Sequence, residues 1–346
     1  MNTRFFGAIG AALLASTLLV AAQTASPPAI AMPAPDADHN AFPDFGYKEV
    51  VGWAKLPGGR KWGGISAIDI DRDGKSIWVF DRCESADDGC ALNVHLDPIL
   101  KFDQNGKLVR SFGHGTIVYP HGIYIDAEDN VWIADGMAKS GKRGEVVRKY
   151  DRNGKLLLTI GEFGVPGTDP YHFTAVSDVI VGPDGSIYVA DGHDAKTNGR
   201  VLKYDRNGRF ILQWGKVGAE PGDFNPPHGF AFDHEGRLYV ADRSNNRIQI
   251  FDQNGRLLGI WKQFGRPSGI YIDKNDTLYV ADSLSNQTTN PGFGNGIRWG
   301  KIADGKVAGF IPWGEYNAIE AVVTDDAGNI YAGFTNTLNF RKFARN

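Results

Sequence analysis

From residue 65 onward the chain alternates apolar and polar positions in short bursts, the two-residue period of a half-buried β-strand. Bursts come in pairs joined by a tight turn built on Asp, Asn or Gly. Six stretches repeat this order: ISAIDIDRDGKSIWVFDR from Ile65, PHGIYIDAEDNVWIADG from Pro120 and VSDVIVGPDGSIYVADG from Val176, then PHGFAFDHEGRLYVADR from Pro227, PSGIYIDKNDTLYVADS from Pro267 and IEAVVTDDAGNIYAGF from Ile319. Their starts are 40 to 56 residues apart, and four of them run on into a third and fourth strand, as in GRVLKYDRNGRFILQWG from Gly199. That period predicts an all-β fold, a six-bladed β-propeller. A lone blade cannot bury both faces, and a closed ring also removes exposed sheet edges. The sixth copy holds only three strands, ending in LNFRKF near Phe343, while YKEVVGW (Tyr47–Trp53) precedes the first copy as a spare. The spare strand is expected to fasten the ring, which a β-helix or open solenoid would not need.

Aligning the copies exposes one column. Five residues before the turn-start position stand Ser66, His121, Ser177, His228, Ser268 and Glu320. Equivalent positions on the innermost strands lie at one height around a channel, so alternate blades would present His121, His228 and Glu320 about 120° apart in a closed ring. Two imidazoles and a carboxylate form a ligand set for zinc, and iron or manganese accept the same donors. The other reading is that the histidines fill a polar channel and bond to carbonyls. His39 and His234 are expected to be solvated. His95, His114 and His172 fall in loops, with His172 near enough to be considered for the channel mouth.

A second column closes the second strand: Arg82, Gly136, Gly192, Arg243 and Ser283, each preceded by an aspartate. Five recurring aspartates point to turn or packing hydrogen bonds rather than to five catalytic roles. The non-repeating members carry more information. Arg82 and Arg243 would emerge at the same end of the channel, where guanidinium groups grip a carboxylate through paired bonds. His193, just beyond VADG, titrates in the right range to act as acid or base.

The ends and the composition narrow the setting. Arg4 followed by an apolar run, with small residues near Ala22 to Ala25, reads as a secretory signal peptide over 1–25. A flexible Pro- and Ala-rich leader over 26–42 and a propeller over 43–346 complete the expected domains. Cys83 and Cys90 bound a short loop that an oxidising compartment would allow to close as a disulfide, which fits a periplasmic or secreted protein. With a formal net charge of -3 and no basic block, neither nucleic acid nor a membrane surface is an expected partner. A monomer acting on a small-molecule or short peptide-like substrate is expected.

Taken together, YPHGIYID, YVADGHDAKTNGRVLKYD, WGKVGAEPGDFNPPHGFAFD and YVADRSNNRIQIFD resemble the NHL-repeat propellers of the peptidyl-α-hydroxyglycine α-amidating lyase family, over roughly residues 47 to 343. The resemblance implies a channel zinc held by three histidines, arginines for the substrate and a tyrosine base. It also implies cleavage of a carbinolamide to an amide and glyoxylate. Residue by residue, it assigns His121 and His228 as zinc ligands and Arg82 and Arg243 as substrate arginines. Glu320 then stands where the third histidine is expected, and His193 where the tyrosine is.

The expected function is therefore a metal-dependent lyase acting on a carbinolamide or related hydroxylated substrate. Metal ligands would be His121, His228 and Glu320, with His193, Arg82 and Arg243 catalytic. Zinc is the expected ion, iron or manganese are acceptable, and a structural calcium is allowed for. Two alternatives stand beside this reading: a metal-dependent propeller hydrolase such as a lactonase, and a non-enzymatic NHL-type binding platform. Leu284 to Gly300 is a candidate roof over the channel, and Arg298 and Trp299 belong either to that roof or to the next strand.

Overall fold

A computed structural model describes residues 1, 39–43, 46–314 and 317–345; residues 2–25 of the expected signal segment and 26–38 of the leader lie outside the described residues. No helix among the described residues is long and apolar enough to cross a membrane.

Six four-stranded antiparallel sheets form the ring, each built from strands consecutive in sequence except the last. The innermost strands are Ile65–Ile70, Pro120–Ile125, Val176–Val181, Pro227–Phe232, Pro267–Ile272 and Ile319–Thr324. In blade six, Tyr47–Glu49 pairs with Asn339–Arg345, in the register Tyr47 to Arg345 and Glu49 to Phe343. The spare strand fastens the ring as its sequence position requires. Trp53, packed against Phe102 of blade one and against Tyr331 and Phe340 of blade six, reinforces the seam.

Stability resides mainly between blades. Trp132, Val147, Val176, Val189 and Leu202 make one apolar cluster across blades two and three, and Ala241, Ile248, Trp261, Ile270 and Val280 make another across blades four and five. Trp78, Trp132 and Trp261 are almost wholly buried. Truncating an aromatic of that kind costs roughly 3–5 kcal/mol, more than a surface ion pair contributes.

Two aspartate columns set the local geometry. At the turns, Asp126, Asp233, Asp273 and Asp325 each accept backbone N–H groups two and four residues on, which caps the hairpin. Blade three has Gly182 at that place, and Asp184 takes over the capping there. At the other end, the aspartates that close the second strands accept N–H groups from the segment entering the innermost strand. Gly63 reaches Asp81, Tyr119 reaches Asp135 and Asn225 reaches Asp242, each at 2.7 Å, and Arg266 reaches Asp282 at 2.9 Å. The recurrence is structural, and it fixes the chain just ahead of the histidine-bearing column.

That column sits in a bulge. In all six blades the pairing of innermost and second strand shifts register at the position of Ser66, His121, Ser177, His228, Ser268 or Glu320. A bulge re-aims one side chain out of the alternation, here toward the axis.

A candidate metal centre at one end of the channel

The bulges link the blades through the column itself. Ser66 donates to the Pro120 carbonyl at 2.7 Å, and Ser177 to the Pro227 carbonyl at 2.8 Å. His121 Nδ1 meets the Ser177 carbonyl at 2.6 Å, and His228 Nδ1 meets the Ser268 carbonyl at 3.3 Å. A carbonyl only accepts, so each imidazole carries its proton on Nδ1 and presents an unprotonated Nε2. The glycines after the histidines permit this contact. A Cβ at Gly122 would lie 2.9 Å from the Ser177 carbonyl oxygen, and one at Gly229 would lie 2.6 Å from that of Ser268.

His121 Nε2 and His228 Nε2 are buried and have no hydrogen-bond partner among the described residues. Leaving such an atom unpaired costs about 1–3 kcal/mol, so a ligand for both is called for. The two ring centroids are 4.9 Å apart, and that of His193 lies 5.0 Å from the first and 5.5 Å from the second. Nitrogens of all three lie within 4.8 Å of one another, a spacing that could hold a metal ion.

This corrects the expected ligand set. The third member of the cluster is His193, not Glu320, and His193 is not a base standing in for a tyrosine. The physical reason is the loop after Asp191. Gly192 has φ +153°, and a Cβ there would collide with the Asn198 carbonyl oxygen. Thr197 Oγ1 accepts the His193 and Asp194 N–H groups at 2.8 and 3.0 Å, and Arg243 Nη2 donates to the His193 carbonyl at 3.3 Å. The loop therefore folds back and brings the third imidazole in from the rim. A repeat alignment ranks only positions on strands, so it passed over a ligand supplied by a loop.

Glu320 lies beside the cluster. Its Oε2 accepts from Ser268 Oγ at 2.6 Å and is 3.6 Å from His228 Nε2, while its Oε1 faces Arg243 Nη1 at 3.5 Å. Burial opposes its ionisation, but Arg243 and the Ser268 hydroxyl outweigh burial and leave its pKa below the usual carboxylate value. Burial, and next Arg82, push His121 down to about 3. His193 and His228 fall well below 6.5, through burial first and Arg243 second. All three rings are neutral at pH 7, the form that ligates metal, and the two column rings carry a carbonyl partner on the other nitrogen.

Arg82 and Arg243 both bear electrostatically on the His121 ring. Arg82 donates to the Pro120 and Ala86 carbonyls at 3.2 and 3.0 Å, and its guanidinium lies 4.1 Å from the Tyr119 ring centroid. Two further residues escaped the sequence reading, Tyr119 and Arg266. Both sit two places ahead of the column, where other blades carry Gly64, Ala175, Pro226 and Ala318. Reading that column for departures from small residues would have found them.

On the inner side of the histidines the channel holds a cavity of about 340 Å³, lined by His121, His228 and Glu320 and, deeper in, by Tyr124, Phe232 and Tyr271. His172 is elsewhere, in a surface loop with Asp169 and Glu162. His39 is not simply solvated, because it stacks on Phe293 at 3.9 Å. Arg298 and Trp299 belong to the strand Gly296–Lys301. Cys83 and Cys90 are disulfide-bonded.

A family model for the NHL repeat matches residues 224–251. The protein is a six-bladed propeller of NHL-type repeats. It is 33% identical over 223 residues to human NHL repeat-containing protein 3, a stretch covering 62% of this chain and 59% of that one. It is 30% identical over 216 residues to peptidyl-alpha-hydroxyglycine alpha-amidating lyase 1 of Drosophila melanogaster, covering 55% of this chain and 38% of that one. The chain thus spans less than two thirds of these relatives. A gluconolactonase from Xanthomonas campestris superimposes with a TM-score of 0.55 at 18% identity, over 82% of this chain and 86% of that one, which speaks to the fold alone.

Proposed function

We propose that the protein is a metal-dependent enzyme that cleaves a small, carboxylate-bearing substrate at the channel end. His121, His193 and His228 would hold a divalent transition ion, zinc first. The observation that carries this is the pair of buried, unpartnered Nε2 atoms with a third neutral imidazole beside them. Such an ion, when bound, supplies Lewis acidity and eases deprotonation of a hydroxyl or a water.

The chain's own residues do the rest. Glu320, oriented by Ser268 and Arg243, is the carboxylate placed to take a proton next to the ligands. Arg82 and Arg243 hold the substrate carboxylate and the negative charge that grows during cleavage. A hydrolase reading comes first, because an ionised carboxylate beside a three-histidine cluster suits the activation of water. Glu320 takes a proton from water, hydroxide adds to an ester such as a lactone, and the alkoxide leaves with a proton. The Drosophila relative favours a second reading, a lyase. There Glu320 would take the proton of a carbinolamide hydroxyl, the oxygen would become an aldehyde carbonyl as the carbon–nitrogen bond breaks, and Glu320 would return the proton to the nitrogen, releasing a neutral amide. We also propose export from the cytoplasm, a setting that the Cys83–Cys90 bridge supports.

The test is elemental analysis after dialysis, with His193→Ala, His228→Ala and Glu320→Gln alongside. The expected result is about one ion per chain in the wild type and in Glu320→Gln, and under about a tenth in both histidine variants. A folded wild type that retains and takes up no transition metal would sink the proposal and leave a binding platform. Lactones and α-hydroxyglycine compounds would then be assayed by product, which separates hydrolase from lyase.

A further inference from the structure

The channel end holds more positive charge than one carboxylate can use. Arg266, unassigned so far, donates through Nη1 to the Ser283 carbonyl at 2.9 Å and through Nη2 to Ser244 Oγ at 3.5 Å. Ser244 follows Arg243 directly, so the two guanidiniums are neighbours across blades four and five. Burial first and Arg243 second lower the Arg266 pKa to about 10. With Arg82 and Arg243, three guanidiniums face one carboxylate among the described residues, Glu320, so three minus one leaves two positive charges.

Among the described residues, nearby acids do not cancel them. Asp81 is spent on Arg60 at 2.5 Å, Asp242 on Arg247 at 2.6 Å and Asp282 on Arg298 at 3.0 Å. Asp87 is exposed and paired with Lys139 at 2.9 Å, and Asp194 is exposed on the loop carrying His193. Donors are also left over. Arg243 Nε and Ser283 Oγ are buried without a partner among the described residues, and Ser283 is the residue whose carbonyl anchors Arg266. Buried like charges repel and unpaired donors cost stability, so this arrangement persists best with an anionic ligand across it.

We propose that the site accepts a substrate with two anionic groups, a dicarboxylate, with Arg266 and Ser283 gripping the second. The inference rests on the carboxylate reading above and deepens it. Arg243 and Arg82 then hold the group next to the reacting centre, while Arg266 decides which substrates are retained. A monocarboxylate leaves Arg266 without a counter-charge and gains less on entering.

The experiment is calorimetric titration of the zinc-loaded protein with acetate, malonate, succinate and glutarate at low ionic strength. Wild type, Arg266→Gln and Arg266→Lys are compared. At least one dicarboxylate is expected to bind wild type about tenfold more tightly than acetate, a ratio that falls to about twofold in Arg266→Gln with acetate affinity little changed. Arg266→Lys, which keeps the charge, retains most of the ratio and controls for folding. Dicarboxylates no tighter than acetate, or a ratio unchanged in Arg266→Gln, would overturn the proposal. If no carboxylate binds the wild type at all, this inference and the carboxylate reading fall together, while bound zinc would leave the metal reading standing.

Discussion

Ser268 is the residue on which the site turns. Its hydroxyl donates to Glu320 Oε2 at 2.6 Å and lies 3.2 Å from His228 Nδ1, and the residue is wholly buried. Ser66, in the same column, reaches only a carbonyl. Partners of metal ligands commonly change affinity or activity about 10- to 100-fold, so Ser268→Ala is expected to weaken zinc binding about tenfold by chelator competition. Ser268→Thr should restore most of it, and Ser66→Ala should leave it alone. Equal affinity in Ser268→Ala would mean that the hydroxyl merely fills space. The serine and histidine alternation was legible in the sequence. Its meaning was not, because each member acts on its neighbour in the next blade, and an alignment shows equivalence rather than contact.

At the scale of elements, a strand pattern located every blade and the strand that closes the ring. The irregular segments were harder to read. His193 and the residues that flank it occupy a loop whose course depends on Gly192 and Thr197, with no periodicity to betray it. The loop bridged by Cys83 and Cys90 is a similar case. Arg82 precedes it, and the Ala86 carbonyl inside it accepts the Arg82 Nη1 donor. Closing so short a loop contributes about 2 kcal/mol in the chain-entropy account. Replacing both cysteines by serine should therefore lower the melting temperature by several degrees, and should weaken acetate binding in calorimetry as Arg82 loosens. Unchanged carboxylate binding would confine the bridge to stability.

At the scale of the whole molecule, buried acids set the pH response. Burial is the largest cause in each case, raising Asp69 and Glu145 to about 7 and Asp178 to about 8. A carboxyl whose folded pKa exceeds its unfolded value binds its proton more tightly when folded. Its contribution is complete below the unfolded pKa, near 4, and is lost as pH rises through the folded pKa. Histidines with depressed values act in the opposite sense, but only below about 6.5, where the unfolded rings begin to charge. Between about pH 6.5 and 8.5 the buried acids dominate, with His172 and His234, raised by their carboxylate partners, acting in the same sense. The acids alone should lower stability by roughly 3–4 kcal/mol across that range. Calorimetric melting of metal-free protein across that window tests this, and a rising melting temperature would contradict it.

The seam in blade six governs the order in which the molecule can come together. Glu49 and Arg341, which pair across it, are 292 residues apart in sequence. Contacts that distant form slowly, because a long loop must close first. The three histidines belong to blades two, three and four, all of them built from local hairpins. Glu320 and Arg82 flank the seam in blades six and one. A refolding chain should thus acquire its zinc-binding cluster before it acquires the carboxylate and one of the arginines beside it. Stopped-flow refolding with a zinc indicator, read against tryptophan fluorescence from Trp53, should show metal uptake ahead of ring closure.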